Sequence, residues 1–247
     1  GISGLDSKGI NTTNTETGNA TYNQSSDTNG TTYYGYVKDK AGNTAYCNAT
    51  YKVDATKPTC SLKTSGTAGE NGWYRGDVTV EFASYNDWAS GISGHGLSTN
   101  GTANYTNTKL TQTSDTTGTT YTGYVKDNAG HKNSCSVTVK RDTQAPSCEL
   151  QASGTKGKNG WYKSGITVSF KSATDTTSGI ALKGLGGYYG SATETQNDNT
   201  AGKNYTGYVK DYAGNTATCT ATYKIDKTAP TCSITASGTY GWNSWYI

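Results

Sequence analysis

Six cysteines, two histidines and a few recurring aspartates are the residues of this 247-residue sequence able to do covalent or metal chemistry. Cys47, Cys135 and Cys219 stand 88 and 84 residues apart, and Cys60, Cys148 and Cys232 repeat the same two steps. There is no C-x-x-C pair, and His95 and His131 lie at non-equivalent places without metal-ligand spacing, so the thiols point to disulfides. The repeat leaves two pairings open. Bonds within a unit would join Cys60 to Cys135 and Cys148 to Cys219, leaving Cys47 and Cys232 to partners outside this sequence. Bonds across a unit boundary, such as Cys47 to Cys60, would use all six. A third reading, six free thiols, sits poorly with paired cysteines repeated on a polar scaffold.

Two sets of acids recur: Asp39, Asp127 and Asp211 in a turn, and Asp54, Asp142 and Asp226 at the unit junctions. A residue present in every unit reads as part of the fold, because a catalytic pair is needed only once. The expectation is therefore a chain with no catalytic residue, no enzymatic activity and no cofactor. Calcium at Asp54, Asp142 and Asp226 is the sharper alternative. Each junction offers one acid beside a basic residue, short of the carboxylate cluster calcium takes, so no metal is expected. Trp73, Trp161 and Trp245 share the repeat steps and are expected to cap small cores. Trp88, Tyr188 and Tyr189 lie where the units differ and are the candidate binding residues. Tyr36, Tyr124 and Tyr208 are expected to face outward.

The elements that must position these residues are strands. Only 32% of the residues are hydrophobic, with 32 glycines, 20 tyrosines and no methionine, which suits several small β-rich modules better than one large core. Basic and acidic residues are scattered singly to a net charge of +3, without the basic runs that track phosphates, so nucleic acid is not an expected partner. No stretch has the length of a membrane-spanning helix, and the first residues carry no signal-peptide pattern. The chain reads as an interior piece of something longer. The phrases YVKDKAGNTAYC, YVKDNAGHKNSC and YVKDYAGNTATC, starting at Tyr36, Tyr124 and Tyr208, are expected to be hairpins. Tyr121, Gly123 and Val125 share a face before the turn Asp127-Asn128-Ala129-Gly130, and Cys135, Val137 and Val139 share a face after it. Ile166, Val168 and Phe170 alternate with Thr167 and Ser169 as in a half-buried strand.

The run from Asn159 to Cys232, with its GWY turn, the SGI step at Asp175 to Ile180, the D-x-AGN turn and the KIDKTAP junction, resembles bacterial Ig-like or fibronectin-III-like repeats. Such repeats occur on surface proteins and as accessory modules of secreted glycosidases. The resemblance implies an extracellular β-sandwich without catalytic residues of its own. Members usually lack cysteines at these places, so the six here depart from the pattern.

Within such a sandwich the intra-unit pairing is favoured. Cys60 begins a first strand and Cys135 a last strand, near one pole, each on the face of its apolar neighbours Leu62 and Val137. Cys47 and Cys60, on strands running on through a linker, would lie tens of ångströms apart. The expected fold is all-β: tandem Ig-like sandwiches in an elongated array, each with its own disulfide. The expected divisions are 1–54, the C-terminal part of a repeat; 55–142 and 143–226, whole repeats; and 227–247, the first strands of another. The expected function is a non-catalytic extracellular array, a stalk or filament of a microbial surface protein, whose partners are further copies of the repeat in its own or neighbouring chains. Adhesin repeats gripping a glycan or host protein, and accessory modules of a glycosidase, are the alternatives.

Overall fold

Alternation of apolar and polar residues every second position, broken by glycine-rich turns, leaves strands as the only economical way to bury side chains. A computed structural model describes residues 2–187 and 189–245 and is all-β. Among the described residues no helix is long and apolar enough to cross a membrane. The chain divides into two compact units, Gly1–Thr143 and Gln144–Ile247.

The second unit holds one complete sandwich. Strands β10 (Ser147–Ser153), β12 (Ile166–Thr174) and β14 (Thr193–Gln196) form one sheet. Its partner sheet orders β11 (Trp161–Tyr162), β16 (Thr216–Ile225), β15 (Thr200–Asp211) and β13 (Ile180–Leu185). All pairs are antiparallel except β11 with β16. Leu150, Tyr162, Ile166, Val168, Leu185, Tyr205 and Ile225 fill the space between. Residues 226–237, which follow β16 and include Cys232, form no strand, and Ile234 is exposed. β10 pairs on β12, and the equivalent of β12 is not among the residues after Cys232.

The first unit carries a second complete sandwich in β4 (Thr59–Ala68), β5 (Trp73–Asn86), β6 (Ile92–Ser98), β7 (Lys109–Gln112), β8 (Thr116–Asp127) and β9 (Lys132–Arg141). Here β5 runs unbroken from one layer to the other. Its first residues, Trp73 and Tyr74, pair parallel with β9, Tyr74 also faces Ala68 of β4, and its later residues pair with β4 and β7. Val78, Val80, Leu97, Tyr121 and Val139 make the core. Ahead of it, β1 (Leu5–Asn11), β2 (Thr28–Asp39) and β3 (Thr44–Val53) form a three-stranded sheet equivalent to β13, β15 and β16. A groove of about 300 Å³ opens on that sheet beside Ile10, Tyr36 and Cys47.

Candidate functional site: the disulfide staples and the first module boundary

The hairpin phrase explains the staples. In each copy the register sets a glycine opposite the cysteine: Gly35 to Cys47, Gly123 to Cys135 and Gly207 to Cys219. Both faces of that glycine matter, because strands alternate sides and its inner face is where the opposite layer presses in. A Cβ on Gly207 would stand 2.9 Å from the Phe170 ring and 3.0 Å from both Cys219 Sγ and Leu150. At Gly123 the same atom would stand 2.9 Å from Leu62 and Phe82. Glycine there makes room for a cystine and the apolar pair beside it. Cys60 is bonded to Cys135 and Cys148 to Cys219, with Cα separations of 5.8 and 5.7 Å. Cys47 and Cys232 are free and exposed.

The turn aspartates close their own loops. Asp39 Oδ1 accepts from the Ala41 and Asn43 N–H groups, both at 2.9 Å, and Oδ2 accepts the Asn43 amide at 3.0 Å. The Asn43 amide, then its N–H, hold the Asp39 pKa below the ordinary aspartate value. Asp211 repeats the pattern with Asn215. Asp127 is wholly buried; its Oδ1 accepts from Gly130 and His131 N–H, and His131 Nδ1 lies 3.1 Å from Oδ2 in place of the asparagine amide.

A second recurring device holds the junctions. Asp27 Oδ1 accepts the Ala55 N–H at 2.7 Å and Oδ2 the Thr56 hydroxyl at 2.9 Å. Asp115 accepts from both the N–H and the hydroxyl of Thr143, whereas Asn199 accepts the Lys227 N–H through Oδ1 and donates its amide to the Thr228 hydroxyl. Arg141 pairs with Asp115 at 2.7 Å and Asp77 at 2.9 Å; the residues equivalent to Arg141 are Val53 at the Asp27 clamp and Ile225 at the Asn199 clamp. Sequence reasoning missed these clamps, although positions 27, 115 and 199 obey the 88 and 84 residue steps.

At the boundary inside the first unit, Asp54 meets the turn of the following module. Its Oδ1 accepts from the Thr56 N–H at 3.0 Å, and His131 Nδ1 lies 3.9 Å away. The Ser90 hydroxyl is the largest influence lowering the Asp54 pKa; burial opposes it, and the Thr56 N–H and the His131 charge add to it. That hydroxyl nonetheless lacks hydrogen-bond geometry to Asp54 Oδ2, which is buried without a partner, as is Asp87 Oδ2. Asn128 pins the turn to the loop before β6, donating to Ser90 O at 2.7 Å. In sequence the junction acids Asp54, Asp142 and Asp226 are one to a boundary. The residues the structure gathers beside Asp54 are Asp127 and His131, a grouping that spacing along the chain did not show.

Several aromatic expectations need correction. In the WY pairs it is tyrosine that enters the core: Tyr162 is buried, while Trp161 and Trp73 are half-buried under Lys224 and Lys140 ammonium groups. Neighbouring strand residues face opposite sides, so only one of the two can point inward. Trp245 is exposed. Tyr36 is buried with its ring against Gly9, whereas Tyr124 and Tyr208 are half-exposed. Trp88 is 78% exposed between β5 and β6, Tyr189 is exposed between β13 and β14, and Tyr188 lies outside the described residues.

No family model and no curated protein matches this sequence. Among solved structures the chain is similar to fibronectin(III)-like modules of Clostridium thermocellum CbhA, at 12% identity and TM-score 0.32 over 67% of this chain and 93% of that one. It is also similar to extracellular domains 3–5 of Drosophila OTK, at 10% identity and TM-score 0.38 over 79% and 71%. A third likeness is to extracellular cadherin domains 1–4 of protocadherin gamma B7, at 12% identity and TM-score 0.39 over 90% and 67%. Likenesses this distant carry no functional argument, and the fold rests on the strand order and pairing above.

Proposed function

We propose that the chain is a segment of a non-catalytic extracellular repeat array that serves as a stalk or filament of a microbial surface. The observation that carries this reading is that each complete module is closed by its own cystine, set at one register position opposite a glycine. Such bonds persist in oxidising compartments and suit small cores that must not open. The junction clamps at Asp27, Asp115 and Asn199 fit the same role, since they fix the backbone on which the next module is hung.

Single-molecule stretching of the oxidised chain tests it. With the bridge intact, the 71-residue separation from Cys148 to Cys219 stays closed as the module yields; reduction should release about 240 Å more chain per module at ~3.4 Å per residue. Equal extensions in both states would contradict the stalk reading. Adhesion is the second reading, favoured by the exposure of Trp88 in a loop that differs between modules. Binding on a glycan array that disappears in Trp88→Ala would favour it over the stalk.

A further inference from the structure

We infer that the first module boundary carries a divalent transition-metal site, best suited to Zn²⁺, whose protein ligands are His131 Nδ1, an Asp127 carboxylate oxygen and an Asp54 carboxylate oxygen. One ligand atom from each residue lies within 4.8 Å of the others. His131 Nδ1 is 3.1 Å from Asp127 Oδ2 and 3.9 Å from Asp54 Oδ1. A tetrahedron with bonds of about 2.0–2.1 Å has edges of roughly 3.3 Å, and the two separations bracket that value.

Proximity alone, made through Asp54 Oδ1, would be an ordinary turn feature; the burial of the same carboxylate with its second oxygen, Oδ2, left without a donor makes it more. The Asp54 side chain is 5% exposed, its Oδ1 is engaged by Thr56, and its buried Oδ2 accepts no hydrogen bond. A buried carboxylate oxygen without a donor is a desolvation penalty that a cation would remove. Asp87 Oδ2, in the loop that carries Ser90, is a second such oxygen.

The histidine distinguishes this boundary. In the other two turns Asn43 and Asn215 donate an amide to Asp39 and Asp211 at 3.0 and 2.9 Å, so the hydrogen bond needs only asparagine. His131 makes the equivalent contact and adds a ring nitrogen able to hold a metal. Without metal, Nδ1–H donates to Asp127 Oδ2; with metal, the neutral ring carries its proton on Nε2 and Nδ1 turns its lone pair to the ion. Asp127 Oδ1 stays fixed by the Gly130 and His131 N–H groups, leaving Oδ2 to coordinate. A cleft of about 460 Å³, lined by Lys52, Asp54, Ser90 and Asn128, opens on the Asp54 side of the cluster. An imidazole among the donors selects against calcium, which takes six to eight oxygens. The ion would tie the end of one module to the last hairpin of the next.

The test is isothermal titration of the oxidised chain with ZnCl₂, with and without excess CaCl₂, in a Cys47→Ser, Cys232→Ser background so that the exposed thiols take no metal. One Zn²⁺ per chain is expected, unaffected by calcium and weakened on the order of tenfold or more in both His131→Asn and Asp54→Asn. His131→Asn restores the residue of the other turns, so its metal-free unfolding midpoint serves as the folding control. No Zn²⁺ binding, binding retained by either variant, or calcium uptake insensitive to His131→Asn overturns the site.

Discussion

Removing the Cys148–Cys219 bridge measures how much of a module's stability its staple supplies. The separation is 71 residues, for which the chain-entropy model gives a loss of about 4.4 kcal/mol at 25 °C. A domain of this size holds roughly 5–15 kcal/mol in all, and the core here is seven buried side chains, so the bridge should decide whether the module stays folded. The perturbation is Cys148→Ser with Cys219→Ser, made together with Cys47→Ser and Cys232→Ser so that the 60–135 pair is the sole cystine left. Guanidinium denaturation followed by fluorescence reads both modules, Trp161 reporting on the altered one and Trp73 on its intact neighbour. The expected result is a loss of about 3–5 kcal/mol in the transition of residues 147–225, with that of residues 59–141 unmoved. A loss below about 1 kcal/mol would refute the loop argument, and a shared shift of both transitions would refute the independence of the modules.

Gly207→Ala should destabilise the second unit by roughly 1–3 kcal/mol in a denaturant titration, because its Cβ would collide with Phe170, Leu150 and the cystine sulfur; a neutral effect would show that the layers can part there. Tyr121 donates to Gln112 at 2.7 Å, but in the other complete module Lys203 takes the matching Gln196 and leaves the Tyr205 hydroxyl buried without a partner. Tyr121→Phe should therefore lose about 1 kcal/mol and Tyr205→Phe about nothing, as read from unfolding midpoints. For Asp39, a carbon-detected NMR titration should place the carboxyl below 3.8, and Asn43→Ala should move it back up. Since the folded pKa is depressed, the stability it contributes is present above the unfolded value and lost as pH falls through the folded one.

The strands and the hairpin turn could be read directly, because period-2 alternation and the Asp-x-Ala-Gly phrase are local signals. The pairing of Cys60 with Cys135 could also be argued, once the resemblance to Ig-like repeats put both strand starts near one pole, with inward parity beside Leu62 and Val137 in support. Other features depend on how distant segments meet. Asp54 and His131 are far apart in sequence, and only the docking of the last hairpin on the junction shows them as neighbours. The exchange of roles in Trp161-Tyr162 turns on which side of a two-residue strand faces the core, a parity the flanking glycines leave undetermined. Asp27, Asp115 and Asn199 escaped notice because the series mixes an acid with an amide, although both accept the same backbone N–H.

Non-reducing peptide mapping of the natively oxidised protein tests the central claim, that each module is stapled within itself. The account predicts a peptide joining Cys60 to Cys135 and another joining Cys148 to Cys219, with no link from Cys47 to Cys60. Recovery of Cys47 bonded to Cys60, or of Cys135 bonded to Cys148, would contradict it, because either bond would fold the chain back across a module boundary.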